Sequence, residues 1–298
     1  MWWGSLDPRI SIREIGRRLQ VDPTTIWSHL RAWQRSGFLL GYSVVPNPKL
    51  FGGGLAGGSV RLSDSRAKER FFDEFGLIDG AAFAVDQLGP WVVVMFVVQS
   101  QRGMERSVAL TRRLSGVSEM EPCIPFHCPA TTLTPSPMDW RILQILHTKP
   151  GEDLSSWART AGITPKTFAR RYNRLVWDRA VWSIPRLDFT RYSGATIARF
   201  LVWLTARSDA QAVLTKLEQQ FPSYILLEDQ SGLPDTGSAK VRLLQLFLQT
   251  SSAGEVEDAD RVIREVDSVV GVETYFPRRT YVYEDWFAER LESRVRPG

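Results

Sequence analysis

Two stretches of this 298-residue chain gather side chains suited to reading polar edges. The first, VDPTTIWSHLRAWQRSGF at 21–38, holds Thr24, Thr25, Ser28, Arg31 and Arg35. The second, ITPKTFARRYNRLVWDRA at 163–180, holds Lys166, Thr167, Arg170, Asn173 and Arg174. Arginine pairs bidentately with guanine, and hydroxyls meet bases or phosphates, so this is a donor set for double-stranded DNA. On a helix, Ile26, Leu30 and Trp33 recur at i, i+4 and i+7 and face inward. That turns Thr24, Ser28, Arg31 and Arg35 outward, with Thr25 alongside. Phe168, Tyr172 and Leu175 do the same for the second stretch. Lys166, Arg170 and Asn173 are then outward, with Thr167 and Arg174 flanking. An exposed arginine is most often only part of a solvated face, so the elements around these helices must decide the reading.

Other reactive residues form weaker patterns. Cys123-Ile-Pro-Phe-His127-Cys128 offers thiolate and imidazole, but it lacks a second pair, and structural zinc takes four ligands. There is no phosphate-binding glycine loop, dinucleotide fingerprint or nucleophile elbow, and the carboxylates are scattered. The chain is therefore expected not to be an enzyme and to use no metal or cofactor. His29 is as much an incidental rim residue as a phosphate contact, and Trp33, Trp157 and Trp203 are expected in cores.

The elements that position the two stretches follow from composition and repetition. Hydrophobic residues make up 43% and charged residues 23% of the chain, enough for two or more compact units. The strongest apolar run, Trp91 to Val98, is strand-length and too short for a membrane span. No signal peptide is read at the N-terminus, and two cysteines make no disulfide framework, which suits a cytoplasmic protein without membrane contact. Residues 1–52 carry a balance of +4 and residues 136–192 one of +5, which leaves −5 for the rest of a chain whose net charge is +4. Matched basic blocks on matched patterns favour a polyanion partner.

The chain repeats itself. One offset aligns Pro8 with Pro150, Pro23 with Pro165, Thr25 with Thr167 and Gly52 with Gly194. Each copy opens with a helical headpiece. In the second, a helix from Met138 to Leu146 and another from Ser155 to Ala161 precede a third capped by Thr164-Pro165; in the first, Asp22-Pro23 is the corresponding start. Extended segments at 41–46 and 182–189 suit wing hairpins. Each copy then reads β-α-β-β-α-β, first from LAGGSVRLS to GVSEMEPCI and then from ATIARFLVWLT to VGVETYFP. Two helices on one face of such a sheet make a ferredoxin-like unit, whose other apolar face needs its own cover. The expected fold is α+β: headpieces at 1–52 and 138–192 alternate with ferredoxin-like units at 53–127 and 193–283. A linker at 128–137 and a tail helix at 284–298 complete the chain.

The run DPRISIREIGRRLQVDPTTIWSHLRAWQRSGFLLGYSVVPNPKLFG resembles the winged helix-turn-helix of the Lrp/AsnC family of transcription regulators. Arg9-Ile10-Ser11, Ile15, Val21, Thr25, Leu30, Gly37 and Gly41-Tyr42 carry the resemblance. The second copy keeps Thr167, Arg171 and Leu175 but loses the glycine after its third helix. The resemblance implies a cytoplasmic, sequence-specific regulator in which a helix-turn-helix is followed by a βαββαβ effector or dimerisation domain. It also implies a small-molecule effector of unknown identity. The first headpiece is shortened, Met1 aligning with Leu143, so Trp2, Trp3 and Leu6 patch its core unless the chain starts further upstream. The family's effector region, a glycine followed by an acidic residue, reads Gly89-Pro90-Trp91 here, and Thr236-Gly237-Ser238-Ala239 in the second copy.

Fusing two such units implies an intrachain pseudo-dimer with two unlike reading heads, with higher homo-oligomers open. Two alternatives share these features: a nucleoid-like architectural binder, and a siroheme decarboxylase, an enzyme that resembles the same two-part unit. The latter is expected to use histidine and basic residues in its sheets, whereas His29, His127 and His147 fall in the headpieces or linker.

Overall fold

The computed structural model describes residues 13, 16–17, 20–121, 123–126, 128–205, 207–221, 224–229 and 241–295. Trp2, Trp3 and Leu6, Arg9 to Ser11, Ile15, His127 and the segment 236–239 lie outside them. Among the described residues are nine helices and twelve strands in an α+β arrangement.

The first headpiece contributes α1 (Pro23–Ser36) and β1 (Leu39–Pro46). Asp22 caps α1 by accepting from the Thr24 N–H at 2.7 Å, Pro23 stands in the first turn, and Gly37 ends the helix at φ 78°. A left-handed residue at that point is what glycine provides at least cost. The first ferredoxin-like unit follows: β2 (Gly54–Leu62), α2 (Lys68–Gly76), β3 (Ala81–Gln87), β4 (Trp91–Val98), α3 (Gln101–Thr111) and β5 (Val117–Met120). The last expected strand is split, since β6 (Ile124–Phe126) returns to pair with β2.

The second headpiece has α4 (Pro137–Thr148), α5 (Leu154–Ala161), α6 (Pro165–Trp177) and β7 (Val181–Leu187). Its sheet unit comprises β8 (Thr196–Thr205), α7 (Ala210–Gln220), β9 (Tyr224–Asp229), β10 (Val241–Thr250), α8 (Ala253–Arg264) and β11 (Val269–Tyr275). Strand β12 (Pro277–Val282) and helix α9 (Asp285–Val295) end the described chain.

Strand order in the second sheet is β11-β8-β10-β9, and in the first it is β12-β3-β4-β2-β5. Without β12 the first order is the same ferredoxin-like one. β12 therefore leaves its own unit and pairs antiparallel with the edge of the other, Val282 opposite Phe83. The two wing segments also cross over. The expected hairpins are not formed: each segment is a single strand, and β1 pairs antiparallel with β7.

Alternation along the strands explains how each sheet is covered. On β4, Val92, Val94 and Phe96 pack with Phe71 and Phe75 of α2, while Met95 and Val97 point the other way. Burial on both faces accounts for the unbroken apolar run. That second face shares one core with Leu143 and Leu146 of α4 and with Trp286 and Leu291 of α9. The Trp286 and Phe51 rings meet edge-on at 5.5 Å. The tail helix is thus a core element rather than an appendage. On β8, Ala198, Phe200, Val202 and Leu204 face α7 and α8, and Arg199 falls on the opposite face.

Candidate nucleic-acid interface

All five polar positions expected on α1 are exposed: Thr24, Thr25, Ser28, Arg31 and Arg35. Thr24 also donates its hydroxyl to the Asp22 cap. The Arg31 guanidinium lies 5.4 Å from the centre of the Trp27 ring, which is 51% exposed. That stacking holds the cation outward by a cation–π contact. The inward face differs from expectation. No residue of α1 is buried: Ile26 and Leu30 are half-buried, and Trp33 is 37% exposed, set edge-on against Phe38 at 5.6 Å. In the second headpiece, by contrast, α4 and α5 both pack against α6.

In the second headpiece Phe168 and Leu175 are fully buried and Tyr172 half-buried. Lys166, Arg170 and Asn173 are exposed as expected, but the two flanking residues serve internal tasks. Thr167 is half-buried; its N–H donates to the Thr164 cap at 3.2 Å and its hydroxyl accepts from that residue at 3.0 Å. Arg174 is ion-paired with Asp139 at 2.6 Å, and Arg171 with the same carboxylate at 2.9 Å. Asp139 is fully buried and completes a capping box with Ser136 at the start of α4. Burial pushes its carboxyl up, but the Ser136 hydroxyl and N–H and the two guanidiniums outweigh this and hold it below the usual carboxylate range. One carboxylate thus ties α4 to α6. Ser136 and Asp139 stand three apart, the spacing of a capping box, and that was the signal available in the sequence.

The β1–β7 ribbon relates the two headpieces. Tyr42 faces Pro185 and Ser43 faces Ile184, so the antiparallel pairing is centred between 42 and 43 on one strand and between 184 and 185 on the other. Because the strands are antiparallel, α1 joins the ribbon at its Leu39–Leu187 end and α6 at its Pro46–Val181 end. Seven or so residues at about 3.3 Å each separate those ends by roughly 25 Å.

Asn47, fully buried, secures the ribbon. Its Nδ2 donates to the carbonyls of Pro129 at 2.9 Å and Arg179 at 2.8 Å, while Oδ1 accepts from the Lys49 N–H at 2.9 Å and the Cys128 thiol at 3.3 Å. His147, also buried, donates from Nδ1 to the Val44 carbonyl at 2.8 Å. His29 is exposed, 6.3 Å from the Trp33 ring. Burial pushes the Cys123 and Cys128 thiols up to about 11, so both are protonated at neutral pH. Among the described residues no three histidine, cysteine or acidic side chains gather as metal ligands, and no helix is long and apolar enough to cross a membrane.

No family profile matches the sequence, and no curated protein matches it. Solved structures do. The siroheme decarboxylase NirDL matches over 95% of this chain and 92% of its own, with a TM-score of 0.54 at 9% identity. The same enzyme in co-complex with an iron-uroporphyrin III analogue gives 0.54 at 10% identity, over the same shares of each chain. Escherichia coli AsnC matches 48% of this chain and 92% of its own, with a TM-score of 0.32 at 14% identity. The full-length likeness establishes the fold, winged helix-turn-helix with ferredoxin-like units. It also corrects the expectation that the chain is not an enzyme: the architecture spanning nearly all of it is one that a decarboxylase uses, so scattered carboxylates give no ground for setting catalysis aside.

Proposed function

We propose that the chain is a sequence-specific DNA-binding regulator built as an intramolecular pseudo-dimer, two copies of one unit with unlike reading heads. The observation that carries this is the β1–β7 ribbon, whose antiparallel pairing sets the two outward-facing helices at opposite ends. Roughly 25 Å of ribbon plus the radii of two helices is close to the ~34 Å between successive major grooves on one face of DNA. Two further features support duplication. Both sheets share one strand order, and Arg179, at the place of Gly37, keeps the left-handed turn at φ 56°.

The heads offer different chemistry. The first presents Thr24, Thr25, Ser28, Arg31 and Arg35, and the second Lys166, Arg170 and Asn173, with Thr167 and Arg174 contributing mainly to the helix start and the Asp139 pair. An asymmetric operator follows. Selection from randomised duplexes should return two unlike half-sites, and Arg31→Ala and Arg170→Ala should each cost about 1–3 kcal/mol and relax a different half. Equal base preferences at both halves, or unchanged binding by both variants, overturns the assignment.

A second reading, a tetrapyrrole decarboxylase, is favoured by the full-length match to NirDL, where the AsnC likeness covers half the chain. Of the three histidines, His29 lies on α1 and His147 on α4, where it donates to the Val44 carbonyl of the β1–β7 ribbon and not to a ferredoxin-like sheet. Added sirohaem should shift its absorbance and release carbon dioxide if this reading holds; an unchanged spectrum removes it.

A further inference from the structure

The helix-free faces of the two sheets meet around a cavity of about 50 Å³, between β3 and β4 of one and β8 and β10 of the other. Phe83, Met95 and Phe247 line it, together with three polar side chains, Gln87, Arg199 and Gln245. It is several times the roughly 10–15 Å³ that a single water requires, and far below a macrocycle.

Two of the polar side chains are incompletely satisfied. Arg199 is 5% exposed; its Nε and Nη2 both donate to Gln245 Oε1, at 3.0 and 2.7 Å. Its guanidinium lies 6.0 Å from the centres of the Phe247 and Tyr275 rings. Among the described residues it has no carboxylate at ion-pair distance, and Nη1 makes no hydrogen bond. The nearby Glu273 accepts instead from the Tyr275 hydroxyl at 2.8 Å. Burial lowers Arg199 to about 10, which leaves it a full cation at neutral pH. Gln87 is fully buried, and both its Oε1 and Nε2 lack a partner among the described residues. A buried cation with no carboxylate at ion-pair distance, Glu273 and Glu121 acting on it only from further away, and a buried amide without partners among the described residues are each costly, and both line this one cavity.

One ligand chemistry answers both. The geometry points to a binding site for a small carboxylate, its oxygens accepting from Arg199 and from Gln87 Nε2. A hydroxyl on the ligand would further donate to Gln87 Oε1, so a short hydroxy acid fits the donor and acceptor count better than a plain acid. This site stands apart from the DNA-facing helices and from the decarboxylase reading, and neither is needed for it.

The full chain would be heated in sodium glycolate, sodium acetate, acetamide and sodium chloride, the salts at equal ionic strength. Thermal midpoints should rise with concentration in the order acetamide, acetate, glycolate, with acetamide no better than chloride, as expected when ligand binds only the folded state. Gln87→Leu, which removes the unpaired amide but keeps its bulk, should raise the ligand-free midpoint and weaken glycolate binding by roughly tenfold or more. Arg199→Met, where it folds, should abolish the acetate response. A cavity holding only water would show equal midpoints in glycolate and chloride. That result, an acetamide shift equal to acetate's, or Gln87→Leu retaining the full glycolate shift, overturns the proposal.

Discussion

The side-chain amide of Asn47 donates to the carbonyl of Arg179 across 2.8 Å, tying the end of β1 to the turn after α6. The same amide reaches the linker at Pro129, so three distant parts of the chain meet on one buried side chain. Asn47→Ala leaves two carbonyls and the Lys49 N–H without a partner and should cost about 2–3 kcal/mol. Urea unfolding followed by tryptophan fluorescence would show it as a lower midpoint. A loss within a few tenths of a kcal/mol would mean that the headpieces do not depend on this joint.

Asp139 should make the second headpiece sensitive to acid. Its carboxyl is depressed in the folded state, so its contribution is fully present above the unfolded value near 3.9 and is lost as pH falls through the folded one. Asp139→Asn should cost roughly 2 kcal/mol at pH 7, discounted from a fully buried pair because both arginines are partly exposed. The gap between wild type and variant should stay constant down to about pH 5 and then close as pH falls below the unfolded value and through the folded one. A gap that stays constant with pH would assign the loss to packing instead.

Arg170 and Arg174 sit on the same helix, but Arg170 is exposed while Arg174 is paired with buried Asp139. Arg170→Ala should weaken DNA binding and leave the unfolding midpoint unchanged. Arg174→Ala should lower the midpoint by removing a partner of buried Asp139. Parallel melting and binding titrations at fixed salt would show the crossed pattern; two variants alike in both assays would contradict it.

Arg179 holds a left-handed backbone where the first unit has Gly37. A side chain there costs about 1–2 kcal/mol, partly offset by the freedom that glycine loses on folding. Arg179→Gly should therefore stabilise the chain by about 0.5–1 kcal/mol, read from denaturant midpoints. A destabilised variant would show that the arginine side chain contributes more than the strained backbone removes.

Much of the architecture is local and was legible in residue order. Asp22-Pro23 and Thr164-Pro165 set helix starts because a side-chain cap and a missing N–H act within one turn. The β-α-β-β-α-β order of each copy marked both sheets and the helices that cover one face of each. The outward positions of Arg31, Arg170 and Asn173 followed from the same periodicity. What only the tertiary structure decided is how edges and faces pair. Nothing in β1, β7 or β12 says that each crosses to the other unit, because backbone hydrogen bonds at a sheet edge carry no residue signature. The places of Asn47, Arg199 and Gln87 likewise depend on neighbours dozens of residues away. Their types mark them as polar, and only the meeting of two units makes them buried.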